Sequence, residues 1–246
     1  MNLTVNNFTV IESAYGRFVV NRHCAYQAEH LIKTGLPHIQ PELQNILGIV
    51  GSLAPECVIV DAGANIGLVA MPMAQAVKSR RGVVHAFEVQ RMMAYALCGT
   101  AALNDLENLI VHHNGLGAAR EVMRASKLNY SEPQDFGLFS LVDHTDAAEF
   151  EAVEILVLDD LGLPRLDFLK IDVEGMEIKV LEGAHRMIAA FEPWCWVEYW
   201  KTGKDLIREQ FKGLEYRFYV MDDLNMLCAP ASRLQASQIS IQAQEV

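Results

Sequence analysis

Short apolar runs alternate with stretches of helical spacing through the middle of the chain. The runs predict strands at Val58–Val60, Val83–Phe87 and Leu109–His112, and the spacing predicts helices at Leu68–Lys78 and Arg91–Leu103. Repeated strand–helix units are typical of the α/β class with a doubly wound, mostly parallel sheet. Ligands of such sheets bind beyond the carboxyl ends of the strands, so residues at those ends are the first candidates for chemistry.

The second half of the chain extends this alternation and then ends it. Asp167–Ile171 is so apolar that it predicts a strand buried on both faces, as parallel strands are. Before it, Ala118–Ala152 mixes extended runs with loops, and Val153–Leu158 is extended. Helices are then predicted at Glu177–Ala190 and Asp205–Leu214, and strands at Trp194–Tyr199, Tyr216–Met221 and Met226–Ala229. The last two runs predict a closing antiparallel hairpin.

These patterns predict one main domain with a lead-in and a tail. Residues 1–54 contain two short strands, Phe8–Val10 and Arg17–Asn21, and a helix at Pro41–Gly51, and we expect this lead-in to pack on the core. Residues 55–232 carry the alternating units and form the predicted cofactor-binding domain. Residues 233–246 are rich in Gln and Ser, as is typical of a loosely held tail.

The first predicted strand leads into the strongest motif of the chain, VIVDAGANIG. A strand, a glycine turn and a helix start in this order form a cradle for a nucleotide-like ligand. Asn65 can stand where the turn would otherwise need glycine, because Asn tolerates a positive φ. We therefore predict that Asp61, Gly63, Asn65 and Gly67 bind a cofactor, the alternative being a helix-capping turn that binds nothing.

The identity of the cofactor follows from the glycine spacing and from Glu88. A carboxylate at the end of the second strand can accept hydrogen bonds from both hydroxyls of a ribose, which favours an adenosine-containing cofactor. A dinucleotide fingerprint would need glycine at positions 65 and 68, where the chain has Asn65 and Leu68. Asp61 would repel a pyrophosphate and attract the ammonium of a methionine moiety. The pattern favours S-adenosylmethionine over NAD, with an NAD-linked oxidoreductase and a non-catalytic cofactor-binding protein as alternatives.

Three carboxylates at later strand ends are the candidate catalytic residues. Asp172 and Glu174 follow a strongly apolar strand at positions that face the same way on an extended chain. Either could instead cap the following helix, and we give Asp172 the functional role before Glu174. Asp172 is also a predicted cofactor contact. Glu198 ends the next strand between aromatic residues, where it is a pocket group or a partner for a buried donor.

The third predicted strand ends in His113, Asn114 and a glycine-containing turn. Asn114 could contact the edge of an adenine ring and His113 could flank it, so both are predicted cofactor contacts. The alternative is an ordinary Asn-Gly turn, and the residues by themselves do not decide between the two.

Composition narrows the class of partner. The chain has 246 residues and a formal net charge of −11, which argues against nucleic-acid and anionic-membrane partners. It contains no apolar run long enough to span a bilayer and no secretory signal pattern. Its five cysteines are scattered and its histidines lack metal-ligand spacing, so we expect reduced thiols, no zinc site and a cytoplasmic location. The oligomeric state is not indicated.

With these residues identified, the chain resembles the FkbM-like methyltransferases, a branch of the Rossmann-like S-adenosylmethionine-dependent enzymes. The resemblance depends on VDAGANIG at Val60–Gly67, HAFEVQ at His85–Gln90 and NGLG at Asn114–Gly117. It depends most on Leu158–Ala184, which contains LDDL and DFLKIDVEGMEIKVLEGA. The chain departs from the family at Val89, where Pro is usual.

The resemblance implies a Rossmann-like class I methyltransferase fold and methyl transfer, commonly to a hydroxyl of a sugar, polyketide or other secondary metabolite. We expect a small-molecule hydroxyl acceptor, with Asp172 as general base and Glu198 as the next candidate. No metal ligand is predicted, although a divalent cation bridging the acceptor to Asp172 and Glu174 is a possible variant.

Overall fold

The computed structural model describes residues 6–142, 149–236 and 244–245, and it begins with a hairpin and two helices. β1 (Phe8–Ser13) pairs antiparallel with β2 (Gly16–Asn21), and α1 (Ala25–Thr34) and α2 (Gln40–Ser52) follow. The hairpin and α2 confirm the predicted elements, whereas α1 was not predicted. β2 packs on the later helix that contains Thr100, and the Val19 N–H donates to Thr100 Oγ1 at 3.0 Å.

The alternating units of the sequence form as predicted. They are β3 (Val58–Ala62), α3 (Ala70–Lys78), β4 (Val83–Phe87), α4 (Arg91–Leu103) and β5 (Leu109–His112). β4, α4 and β5 have the predicted bounds. α3 begins two residues later than predicted, because the turn after β3 continues to Val69.

The mixed segment after β5 forms a small second sheet. β6 (Gly115–Leu116), β7 (Glu121–Ser126) and β8 (Phe150–Leu156) lie in the order β6-β8-β7. β8 begins earlier than the predicted run at Val153, and Leu158 belongs to a short 3-10 turn. Part of the predicted mixed segment, residues 143–148, lies outside the described residues.

The remaining elements complete the main sheet. In chain order they are β9 (Phe168–Ile171), α5 (Glu177–Gly183), α6 (His185–Phe191), β10 (Trp194–Glu198), α7 (Lys204–Glu209), β11 (Tyr216–Val220), β12 (Asn225–Pro230), α8 (Ala231–Ala236) and β13 (Gln244–Glu245). The main sheet has the strand order β13-β11-β12-β10-β9-β3-β4-β5. Its strands from β10 to β5 are parallel, and β11 and β12 form the predicted antiparallel hairpin. The α/β fold with a mostly parallel sheet is therefore confirmed.

The helix predicted at Glu177–Ala190 is two helices in the structure, with the break at Ala184. Gly183, just before the break, lies against β6, and a Cβ at this position would come within 2.0 Å of the Gly117 carbonyl oxygen. The close approach to the chain after β6 coincides with the break between the two helices. Periodicity cannot show it, because both helices bury apolar residues toward the same core. The helix predicted at Asp205–Leu214 is also shorter, since α7 ends at Glu209.

The central strands are buried on both faces, as their apolar sequences predict. Every residue of β3, β9, β10 and β12 is buried, including the large rings of Trp194 and Trp196. All five cysteines are free thiols. Within the described ranges, no helix combines the length and apolar character needed to cross a membrane. The boundaries at residues 54 and 232 remain predictions.

Candidate active site

The turn after β3 has the backbone geometry that its sequence predicts. Gly63, Asn65 and Gly67 all have positive φ, at 82°, 49° and 90°. Asn65 therefore adopts the left-handed conformation that it tolerates better than most residues. Gly63 also lies against the chain after β9, and a Cβ there would come within 1.7 Å of the Asp172 carbonyl oxygen. Only a glycine fits at this point, so the two strand ends can meet.

Glu88 organises this turn from the end of β4. Its Oε2 accepts a hydrogen bond from the Asn65 N–H at 2.7 Å, and its Oε1 accepts one from the Gln90 N–H at 2.7 Å. Burial raises the pKa of Glu88 to about 7, although these two backbone donors oppose the shift. Glu88, which we predict to bind the ribose, thus has a structural role as well, because it fixes the loop that would hold the cofactor.

A buried lysine joins two of the predicted carboxylates. Lys170 Nζ lies 3.4 Å from Asp61 Oδ1 and 3.1 Å from Asp172 Oδ2. Asp61 and Lys170 are direct partners in the parallel pairing of β3 and β9, so the sheet register brings them together. Burial opposes the charge on Lys170, but Asp172 and Asp61 outweigh it and raise the pKa of Lys170 above its usual range.

The other two predicted carboxylates lie beside Asp172. Oxygen atoms of Asp172, Glu174 and Glu198 all come within 4.8 Å of one another. Glu174 forms an ion pair with Lys201 at 2.8 Å, and it is Glu177 that accepts from the Gly175 N–H at 2.9 Å. Glu177, not Glu174, therefore caps this turn. Burial, together with the charges of Asp172 and Glu174, raises the pKa of Glu198 to about 9.

The segment around Phe136 covers the loop from the opposite side. The Phe136 carbonyl oxygen accepts hydrogen bonds from Gln90 Nε2 at 2.7 Å and from Asn65 Nδ2 at 3.3 Å. These bonds connect the 3-10 turn at Phe136–Leu138 to Asn65 and Gln90, the same two residues whose backbone N–H groups donate to Glu88. The enclosure is therefore formed by the strand ends below and by this segment above.

Most predicted site residues line one cavity of about 370 Å³. Those that line it are Asp61, Gly63, Asn65, Glu88, Asn114, Asp172, Glu174 and Glu198. Gly67 and His113 are not part of the lining. Gly67 packs against Leu97 behind the loop, and His113 Nε2 lies 3.2 Å from the Val89 carbonyl oxygen. Their expected cofactor contacts therefore have no support from the lining.

Several lining residues were not identified from the sequence. Lys170 carries a detectable signal, because it is the one charged residue within the apolar run FLKI of β9. Tyr26, Gln27, His38 and Glu42 come from α1, α2 and their connection, which have no motif. Burial raises the pKa of Glu42 to about 7. Only the packing of the lead-in on the sheet brings these side chains to the cavity.

The family assignment follows from comparison with known proteins. The family model described as "Methyltransferase FkbM domain" matches residues 61–219, which include the loop after β3 and the acidic segment after β9. The chain belongs to the FkbM methyltransferase family. Its members are S-adenosylmethionine-dependent methyltransferases, so the oxidoreductase alternative is set aside.

The chain is also similar to solved structures of methyltransferases, and those with TM-scores of 0.50 and 0.52 agree with its α/β fold. Methyltransferase FkbM from Methylobacillus flagellatus KT is 19% identical with a TM-score of 0.50, over 72% of this chain and 44% of that one. Trm5b from Pyrococcus abyssi is 12% identical with a TM-score of 0.52, over 90% of this chain and 55% of that one. The tRNA m1G37 methyltransferase of M. jannaschii is 10% identical with a TM-score of 0.48, over 91% and 56%.

The present chain aligns with only part of the length of each of these solved proteins. The alignments span about half of each solved chain, so their activities as whole proteins do not transfer. No curated protein matches the sequence. The comparisons therefore show the family and the fold of the FkbM domain, whereas its acceptor and catalytic residues have to be argued from the cavity.

We predict that Lys170→Met lowers the free energy of unfolding by about 3–5 kcal/mol, because it leaves buried carboxylates without their cation. Urea unfolding of the cofactor-free protein measures this loss. Adding Asp61→Asn to Lys170→Met should recover part of it. The control is Lys179→Met, which removes an exposed lysine and should change stability by less than about 0.5 kcal/mol. Equal stability of the two single variants would contradict the role of Lys170.

Proposed function

We propose that the FkbM domain transfers the methyl group of S-adenosylmethionine to a hydroxyl of a small molecule, such as a sugar or a secondary metabolite. One observation carries the proposal. The loop residues Asp61 and Gly63 and the carboxylates Asp172 and Glu198 line the same cavity. The predicted cofactor-binding residues and the candidate general base Asp172 therefore share one enclosure.

The residues at the loop end of the cavity fit S-adenosylmethionine. Both Asp61 carboxylate oxygens lack a hydrogen-bond partner among the described residues, although Lys170 is close, so a donor such as the ammonium of the methionine moiety suits this position. Gly63 presents bare backbone, and Glu88 offers a carboxylate to ribose hydroxyls. When bound, the cofactor supplies an activated methyl group on its sulfonium. The protein has to align acceptor, methyl and sulfur in one line.

Asp172 is the stronger candidate for the general base. An alcohol is a weak nucleophile, and a carboxylate that accepts its proton as the bond forms lowers the barrier. Glu198 has a pKa of about 9 because of burial and its acidic neighbours, so it carries a proton at neutral pH and cannot accept another. The Asp172 side chain is 36% exposed and lines the cavity beside it.

The charge of the lining disfavours an anionic acceptor. Besides the predicted carboxylates, Glu42 and Asp135 also line the cavity, whereas Lys170 supplies its positive charge. A polyanion would meet this acidic surface and a chain with a net charge of −11. We therefore propose a small hydroxylated acceptor over a nucleic acid. The cytoplasmic location remains a prediction from the sequence.

For the cofactor site, we predict that Glu88→Gln weakens S-adenosylmethionine binding at pH 8 by about 10- to 150-fold, since hydrogen bonds to a charged group contribute about 1.5–3 kcal/mol. The difference from wild type should narrow at pH 6, because a carboxyl with a pKa of about 7 is then protonated in the wild-type protein. Calorimetric titration at both pH values measures the two affinities. Glu107→Gln, at an exposed glutamate, is the control and should bind normally at both. Unchanged affinity in Glu88→Gln would remove Glu88 from the cofactor site.

For the base, we predict that Asp172→Asn reduces methyl transfer by about 100-fold or more at saturating cofactor. The substitution keeps the shape of the side chain and removes the proton-accepting charge. Single-turnover assays with a competent acceptor measure the chemical step apart from binding. The control is Asp223→Asn, at an exposed aspartate outside the cavity lining, which should keep the wild-type rate. A wild-type rate in Asp172→Asn would leave Asp172 with a structural role alone.

The acceptor atom is tested with isotope-labelled cofactor. We expect the label on oxygen when the protein is incubated with a panel of sugars, glycosylated metabolites, amines and RNA, and the products are identified by mass spectrometry and NMR. Label on nitrogen, on carbon or on RNA, with inert hydroxyl acceptors, would contradict O-methylation and leave the family assignment unchanged. Cofactor binding without transfer to any member of the panel would favour the non-catalytic alternative.

A further inference from the structure

The carboxylates at the acidic end of the cavity have fewer cationic partners than their number requires. Lys170 is shared by Asp61 and Asp172, and Lys201 pairs with Glu174. Among the described residues, Glu198 forms no ion pair, and its Oε2 has no hydrogen-bond partner. Four carboxyl groups therefore face two lysines, and a divalent cation that displaces the proton of Glu198 would make the group neutral.

Glu198 is the observation that distinguishes this group from an ordinary acidic cluster. Glu198 is only 9% exposed, so water cannot easily take the place of the missing hydrogen-bond partner. A buried polar atom without a partner costs about 1–3 kcal/mol, and more for a charged group. The same side chain contributes a ligand atom to the set formed with Asp172 and Glu174. Glu198 is therefore both a member of the set and a buried side chain with an unsatisfied oxygen.

The spacing of the oxygens fits a hard cation. Ca²⁺ binds oxygens at about 2.3–2.6 Å, so ligands on opposite sides of it lie about 4.6–5.2 Å apart. The oxygens of the three carboxylates lie within 4.8 Å of one another, which is within the span of the ligands around such an ion. Mg²⁺ binds at about 2.0–2.1 Å and would draw them closer together. The set offers oxygen ligands and no nitrogen or sulfur, which disfavours zinc.

We propose that Asp172, Glu174 and Glu198 form a binding site for one hard divalent cation at the acidic end of the cavity. The three ligands come from two adjacent strand ends, since β9 and β10 pair directly. Both elements belong to the buried part of the sheet, which holds the carboxylates close without the ion. Because the site lies in the cavity of the proposed acceptor, a bound cation could also coordinate an acceptor hydroxyl. That second role depends on the proposed function, whereas cation binding does not.

The test measures Mn²⁺ binding to the purified full chain without cofactor or acceptor. Loss of the free Mn²⁺ signal in electron paramagnetic resonance should show one site per chain, and added Ca²⁺ or Mg²⁺ should release the Mn²⁺. Glu198→Gln should weaken binding by at least about tenfold, since changes around metal ligands already have effects of this size. Thermal unfolding with and without Mn²⁺ gives a second readout, because a ligand that binds the native state raises its melting temperature.

The matched control is Glu42→Gln, which removes a carboxyl from the same cavity but outside the set. If Asp172, Glu174 and Glu198 coordinate the cation, the affinity of Glu42→Gln for Mn²⁺ should stay within about threefold of wild type. Equal weakening in both variants would show diffuse attraction to an acidic cavity and would overturn the site. Absence of stoichiometric binding to the folded wild-type protein would also overturn it. If Glu198→Gln fails to fold, Asp172→Asn takes its place with the same expected loss. Either negative result leaves the proposed methyl transfer untouched.

Discussion

The ammonium of Lys170 lies between Asp61 and Asp172 in the middle of the sheet, and the acidic end of the cavity depends on it. Burying several carboxylates close together is unfavourable unless a cation is buried with them. Parallel pairing places Lys170 directly beside Asp61, and Asp172 follows two residues later, just after the end of the same strand. The register of two strands therefore decides the charge balance of the site. Glu174 and Glu198 extend the acidic surface, and the ion pairs of Lys170 with described residues are those with Asp61 and Asp172.

A second constraint fixes the loop end of the cavity. Glu88 accepts hydrogen bonds from the backbone N–H groups of Asn65 and Gln90, and the Phe136 carbonyl accepts from the side chains of the same two residues. The loop is thus held from the neighbouring strand and from the covering segment before any ligand is bound. Such preorganisation reduces the entropy that binding would otherwise cost. It also means that Glu88 combines structural support with the proposed contact to ribose.

The cavity is lined both by residues within the FkbM domain match and by residues that precede it in the chain. The loop after β3 and the acidic strand ends lie within the residues that match the FkbM domain, whereas α1 and α2 precede that match and still contribute to the lining. Family membership therefore accounts for the proposed chemistry, and the lead-in shapes the space beside it.

The sequence by itself determined the strand–helix alternation, the glycine loop, the carboxylates at the strand ends and the family, because these depend on local periodicity and short motifs. It also identified Asn65 as the residue that takes the place of a glycine. It could not determine which strand ends meet. Tertiary structure decided that Lys170 joins Asp61 to Asp172, that Glu177 rather than Glu174 caps its turn, and that His113 and Gly67 lie outside the cavity lining. Strand order and register bring together residues more than a hundred positions apart, and no local pattern records that proximity.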